Sequence, residues 1–181
     1  MTAIPLPVPP LSDGVVRLRP FTLADAGAVT AALQDREISR WTATIPWPYS
    51  EQHARDWISA HEPDRLAGRS VNLAITAGGA MPLGAIGLDV VDADAGTGQV
   101  GYWVAREARG RGLATRAATL VGDWGLGNLD LRRLILFTID GNVASARVAA
   151  KAGFQAVEVL PDHDLGSKRA TVTRWERNFG A

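Results

Sequence analysis

Two stretches of this chain carry residue types at spacings suited to chemistry. The first is Gln99-Val-Gly-Tyr-Trp-Val104, followed closely by Arg109-Gly-Arg-Gly-Leu-Ala-Thr115. A short apolar strand leads into a loop with two glycines and two arginines. The loop opens a helix with Leu113, Ala117, Leu120, Val121 and Trp124 along it. The first N–H groups of a helix have no intrahelical partner and stand at the positive end of its dipole. Such a loop is a place to hold a phosphate or pyrophosphate. The plainer alternative is a strand-to-helix turn with solvated arginines. No Gly-x-x-x-x-Gly-Lys-Ser/Thr is present, which excludes a P-loop. A dinucleotide fingerprint fits poorly, because Thr115 stands where its third glycine or alanine belongs.

The second stretch is Asn142-Val-Ala-Ser145-Ala-Arg147-Val-Ala-Ala-Lys151-Ala-Gly153-Phe154. Asn142 stands where a helix cap would, Ser145 follows one turn on, and Gly153 suits a helix stop. Alone it reads as a capped amphipathic helix. Together the two stretches place polar groups at the carboxyl ends of two parallel strands, where α/β sheets bind ligands.

Other chemistry-bearing residues are scattered. Trp41, Trp47, Tyr49 and Trp57 gather in one region, with Glu37 just ahead of them and His53 among them. Asp89 and Asp92 close a strand. His53, His61 and His163 show no metal spacing, and neither His-Glu-x-x-His nor a nucleophile elbow is present. The absence of cysteine excludes disulfides, thiolate metal sites and a Cys nucleophile.

The elements that must position these groups form one α/β domain with a mixed sheet. The chain has 181 residues, 46% of them apolar, enough for one sizeable core. Basic and acidic residues balance at 19 each, which argues against a general nucleic-acid or membrane-surface binder. Residues 1–14, with Pro5, Pro7, Pro9 and Pro10, read as an extended arm rather than a signal peptide. Residues 15–181 make the domain. No stretch approaches the roughly 20 apolar residues that span a bilayer, so a cytoplasmic protein is expected. Strands are predicted over 15–19, 70–76, 83–91, 99–104, 134–139, 154–160 and 169–175. Helices are predicted from Thr22 to Gln34, from Ser50, from Gly112 and over 142–152. Residues 36–49 read as irregular. Leu134–Ile139 is a continuous apolar run, expected to be buried on both faces. Gly84 and Gly87 signal a bulge or a close backbone approach.

At this point the chain resembles a known family. Arg109-x-x-Gly112-x-Ala114 resembles the acyl-CoA pyrophosphate loop of the GCN5-related N-acetyltransferases (GNAT). Asn142-x-x-Ser145 with Lys151-x-Gly153-Phe154 is similar to the companion helix of their ribosomal-protein N-terminal acetyltransferase (RimJ/RimL-like) branch. Gly84-Ala-Ile-Gly87-Leu88, Gly101-Tyr-Trp-Val104 and Leu18-Arg-Pro-Phe-Thr-Leu-Ala-Asp25 resemble the same branch. The likeness runs from about Val15 to Trp175.

The resemblance implies a GNAT fold with its sheet splayed open between the strand of Gln99–Val104 and that of Leu134–Ile139. Acetyl-CoA is the implied co-substrate, its pantetheine lying along Tyr102, Trp103 and Val104. The amides of Arg109, Gly110, Arg111, Gly112, Leu113, Ala114 and Thr115 would wrap the pyrophosphate. Arg109, Arg111 or Lys151 would meet the ribose phosphate. Asn142 would fix the pantetheine arm, Ser145 would serve the departing thiolate, and the Val104 N–H would serve the oxyanion. Many members carry a tyrosine seven residues after the Asn; here Ala149 stands there. Asp89 is the candidate base, with Asp92, Glu37, His53 or a water chain as rivals. Trp41, Trp47, Glu37 and His53 are expected around the amine acceptor. No metal is implied. A homodimer is expected, because the final hairpin of such folds often pairs between subunits. Rival readings are a longer acidic donor such as succinyl-CoA, a non-catalytic acyl-CoA sensor, and a nucleotide-binding oxidoreductase.

Overall fold

In the computed structural model, which describes residues 2–42 and 44–180, seven strands form one mixed sheet in the order β1-β2-β3-β4-β5-β7-β6. The strands are β1 (Arg17–Pro20), β2 (Ser70–Thr76), β3 (Gly84–Asp92), β4 (Thr97–Val104), β5 (Arg133–Ile139), β6 (Gln155–Asp164) and β7 (Arg169–Asn178). Five helices flank them: α1 (Ala26–Ala32), α2 (Arg36–Trp41), α3 (Glu51–Leu66), α4 (Leu113–Asn128) and α5 (Val143–Lys151). β4 and β5 are the parallel neighbours; the other pairs are antiparallel.

Side chains alternate across the strands and divide the core in two. Val71, Leu73, Ile75, Ile86, Leu88, Val100, Leu134 and Leu136 face α4 and α5, where Leu113, Ala117, Val121 and Ala149 meet them. Ala85 and Trp103 face the other way, beneath Val29, Leu33, Ala54 and Ile58 of the α1–α3 layer. Burying a side chain the size of Leu or Ile contributes about 1.5–3 kcal/mol, so the larger cluster dominates stability.

Local signals set the helix ends. The Asp25 carboxylate accepts from both the N–H and the hydroxyl of Thr22, starting a short 3-10 turn ahead of α1. Ser50 Oγ accepts from the His53 N–H, and His53 Nδ1 accepts from the Ser50 N–H, a reciprocal cap on α3. At Gly84 a Cβ would run into the Trp103 carbonyl, and at Gly87 it would lie 2.6 Å from Asn72 Oδ1. Both glycines therefore mark close approaches.

Two expectations change. The 36–49 segment is not wholly irregular, since α2 opens it. β5 is not buried on both faces: Leu134, Leu136 and Thr138 are buried while Ile135, Phe137 and Ile139 are half-exposed. The α1–α3 layer stops short of β5, and on that side Phe137 stacks on His163 from the terminal hairpin. The N-terminal arm is fastened to α3. Ile4 is buried, its N–H donates to the Arg65 carbonyl, and the Arg65 guanidinium donates back to the Ile4 carbonyl. No helix among the described residues is long and apolar enough to cross a membrane.

Candidate active site

The site is built where β4 and β5 part. Their ladder pairs Thr97–Arg133, Gly98–Leu134 and Gln99–Ile135, and goes no further. Beyond Gln99, β4 continues to Val104 with one edge unpaired. The alternation of the β3–β4 ladder decides which groups stand on that edge. Ala105 N donates to Leu83 O on the β3 side, and Val90 N donates to Arg69 O on the β2 side. Odd-numbered residues of β4 therefore bond to β3. The backbone groups of Tyr102 and Val104 turn into the cleft.

After β4, past a short 3-10 turn at Arg106–Ala108, comes the glycine loop. Gly110 and Gly112 both have φ of +75°, and a Cβ on either would meet nothing within 4 Å. Open space thus lies over both residues, and the left-handed backbone favours glycine. Gly112 is the N-cap of α4 and offers no side-chain cap. Arg116 N, bonded to Gly112 O, is the first intrahelical donor. The N–H groups of Gly112, Leu113, Ala114 and Thr115 precede that first donor and have no intrahelical acceptor, a donor set that suits an anion. The Leu113 side chain is buried in the core, so only its backbone serves here.

The loop arginines divide by partner. Arg109 lies 2.7 Å from Asp35 and also donates through Nε to the Val104 carbonyl at 3.2 Å. Arg106 stands 3.7 Å from the same carboxylate, and Arg116 pairs with Asp13 at 2.6 Å. Arg111 and Lys151 are exposed and make no ion pair among the described residues. Of the three cations expected near the ribose phosphate, Arg109 is thus already engaged.

Across the cleft, Asn142 caps α5, its Oδ1 accepting from the Ser145 N–H at 3.1 Å. Its Nδ2 remains a donor. Ser145 Oγ lies 2.8 Å from the Tyr102 hydroxyl, a bond that joins α5 to β4. Burial pushes the Tyr102 phenol up to about 12, against a smaller opposite effect of Ser145.

A third wall forms around Trp41. Its indole N–H donates to Glu37 at 3.1 Å, and its ring edge packs at Gly141, beside Asn142. Lys168, from the β6–β7 turn, donates to the Arg40 carbonyl at 2.6 Å. Arg36 stacks over Trp47 at 5.0 Å and Arg40 over Trp41 at 4.6 Å. Trp47 is 39% exposed, so its ring is open to solvent.

Other expected residues are not brought here. Trp103 is buried in the α1–α3 layer, and its backbone serves β3. His53 is exposed, with Nδ1 spent on the helix cap. Asp89 pairs in register with Gln99, five residues from Val104, or about 17 Å along the strand. Crowding raises its pKa, and the Asp64 carboxylate adds to the effect. Asp92 closes a turn by accepting from Ala95 N. Asp35 was missed by sequence reasoning. Its signal was an Asp one residue ahead of Arg36-Glu37, the pattern of a helix cap. Among the described residues no cluster of His, Cys, Asp and Glu could hold a metal ion.

Residues 16–155 match the acetyltransferase (GNAT) domain family. The chain belongs to that family. It is an N-acetyltransferase. The N-acetyltransferase p20 of Bacillus licheniformis is 26% identical over 153 residues, 84% of this chain and 85% of the relative. Among solved structures, RimJ of Mycobacterium smegmatis in complex with CoA-disulfide superposes with a TM-score of 0.82 at 22% identity, covering 93% of this chain and 85% of that one. RimL, a ribosomal L7/L12 alpha-N-protein acetyltransferase in complex with coenzyme A, has a TM-score of 0.83 at 16% identity, over 94% and 97%. These likenesses establish the splayed fold.

Proposed function

We propose that this acetyltransferase moves the acetyl group of acetyl-CoA to a primary amine by direct attack in a ternary complex. The observation that carries the reading is the parting of β4 and β5 beside the free amides of the α4 first turn. The open glycine backbone, the unpaired donors and the exposed Arg111 fit a pyrophosphate. The unpaired edge at Tyr102 and Val104 fits a chain of amide groups such as pantetheine. Asn142 Nδ2 is free to donate to one of its carbonyls.

In this reading the amine enters from the Trp41–Glu37 wall. Its nitrogen attacks the thioester carbon, and the Val104 N–H donates to the developing oxyanion. The C–S bond then breaks, and Ser145 donates a hydrogen bond to the thiolate. Asp89 stands too far along β3 to take the amine proton, which passes to water. That assignment favours acceptors that are already neutral. An α-amine has a pKa of about 7.7–8.0 and a lysine amine about 10.4. We therefore place an α-amine, of a peptide or a small molecule, ahead of a lysine or polyamine.

Calorimetry with acetyl-CoA, succinyl-CoA, free CoA and NAD tests the donor. Micromolar acetyl-CoA binding followed by CoA release with an α-amine peptide is the expected result. Tighter binding and turnover of succinyl-CoA would reassign the donor, and CoA binding without turnover on any amine would mark a sensor.

A further inference from the structure

The Tyr102–Ser145 contact bears on how the leaving group is handled. A serine hydroxyl is a rotor whose single proton can point several ways. Here its surroundings limit the choice. The Tyr102 hydroxyl lies 2.8 Å from Ser145 Oγ and 3.4 Å from the Ser145 carbonyl oxygen, which can only accept. The phenol is also the stronger acid of the two hydroxyls. Either hydroxyl can donate across the 2.8 Å contact; in the direction the acidities favour, Tyr102 donates, Ser145 Oγ accepts, and the serine proton is left for a third atom. The Ser145 backbone is held in place by its bond to Asn142.

We propose that Tyr102 is a positioning residue, whose donated hydrogen bond aims the Ser145 hydroxyl proton at the sulfur of the departing thiol. This rests on the acyltransferase reading above. When the C–S bond breaks, the electron pair stays on sulfur. Ser145 donates a hydrogen bond to that thiolate, and Ser145 Oγ gains electron density that the Tyr102 bond stabilises in turn. No proton leaves Tyr102. Full transfer along the chain would leave the phenolate of an acid held at about 12 in exchange for a less basic thiolate, and is therefore disfavoured. The proton that finally neutralises sulfur comes from the amine by way of water.

The deciding experiment titrates the thiol of bound CoA through the ultraviolet absorbance of its thiolate, which needs neither acceptor nor turnover. We expect the bound thiol to titrate about one unit below the free thiol, a tenfold effect. Tyr102→Phe should remove most of that shift, Ser145→Ala all of it, and the double variant no more than Ser145→Ala. In steady state, Tyr102→Phe should lower kcat about tenfold, with KM for acetyl-CoA changed less than twofold. A folded Tyr102→Phe protein with the wild-type thiol pKa and kcat would overturn the proposal. So would an equal loss in the Ser145→Ala background, or an unshifted thiol in Ser145→Ala alone. Failure of the wild type to bind CoA would instead bring down the acyltransferase reading, and the proposal with it.

Discussion

Arg109 and Asp35 meet at 2.7 Å, and through them the glycine loop is tied to α2. Asp35 is a hinge between two walls. One oxygen accepts from the Glu37 N–H at 3.2 Å and caps α2, while the other faces Arg109 and Arg106. Desolvation would raise its pKa, but the Glu37 N–H and the two arginines outweigh it, so the carboxyl sits below its usual range. Arg109 in turn reaches the Val104 carbonyl on the cleft edge. The loop proposed to hold the donor and the helix proposed to face the amine therefore share one ion pair.

Because Asp35 already balances Arg109, that arginine has little charge to spare for a phosphate. Arg111→Ala should weaken acetyl-CoA binding several-fold, and Arg109→Ala should weaken it less. Asp35→Ala should cost about 1 kcal/mol through the lost cap and should raise the amine KM more than the acetyl-CoA Kd. Asp35→Asn keeps an acceptor for Glu37 and should lose less stability. Calorimetry and thermal melts of the four variants check the ordering; equal donor losses at Arg109 and Arg111 would contradict it.

Gly112 supplies both a left-handed φ of +75° and bare backbone under open space. Gly112→Val should fold, because no atom lies within 4 Å of the new Cβ, at a backbone cost of about 1–2 kcal/mol. Its branches would stand where the free amides point. Acetyl-CoA binding should fall at least tenfold. Unchanged affinity in a folded variant would mean that the loop is only a turn.

The cleft was legible in sequence because each of its parts is a local pattern. A strand, a glycine pair and a helix start lie in order from Gln99 to Thr115, and Asn142 announces its cap. Asp35 and the Tyr102–Ser145 bond were not legible. Both join residues far apart in the chain: Arg109 to the α1–α2 turn, and β4 to α5. Asp89 misled because its place at a strand end says nothing about which end of the neighbouring strand it meets. The apolar run of β5 likewise could not show that its second face lies beyond the reach of α1 and α3.

His61 should make stability depend on pH. Its ring packs 4.4 Å from Trp57 and 5.6 Å from Phe21, and neither ring nitrogen has a hydrogen-bond partner among the described residues. Burial lowers its pKa to about 4, and Asp64 opposes this only partly. Unfolded, the imidazole titrates near 6.5. Between those values the unfolded chain binds more protons, so stability rises with pH. The contribution is full above pH 6.5 and is lost as pH falls toward 4, at most about 3 kcal/mol. His61→Phe keeps a flat ring against Trp57 and should flatten this part of the profile. Denaturant melts from pH 4 to 7 measure it, and an equal slope in both proteins would show that other groups set it.

The rate should depend on pH through the acceptor rather than through a protein carboxylate. Tyr102 is held near 12 and stays neutral over the working range, and Asp35, which the contacts bring toward the Val104 edge by way of Arg109, is already paired with that arginine. If water takes the proton, log kcat/KM should climb with unit slope and level off at the pKa of the amine itself. With an α-amine peptide the plateau should come near pH 8, and with a lysine-type amine near 10. At pH 7.5 about a third of an α-amine is neutral, against roughly 0.1% of a lysine amine. The α-amine should therefore react about two orders of magnitude faster if the two bind equally. The two acceptors measured side by side decide the point. A break at one pH regardless of acceptor would reveal a protein base, and Glu37, held by Trp41 at the proposed acceptor wall, would be the first residue to replace with Gln.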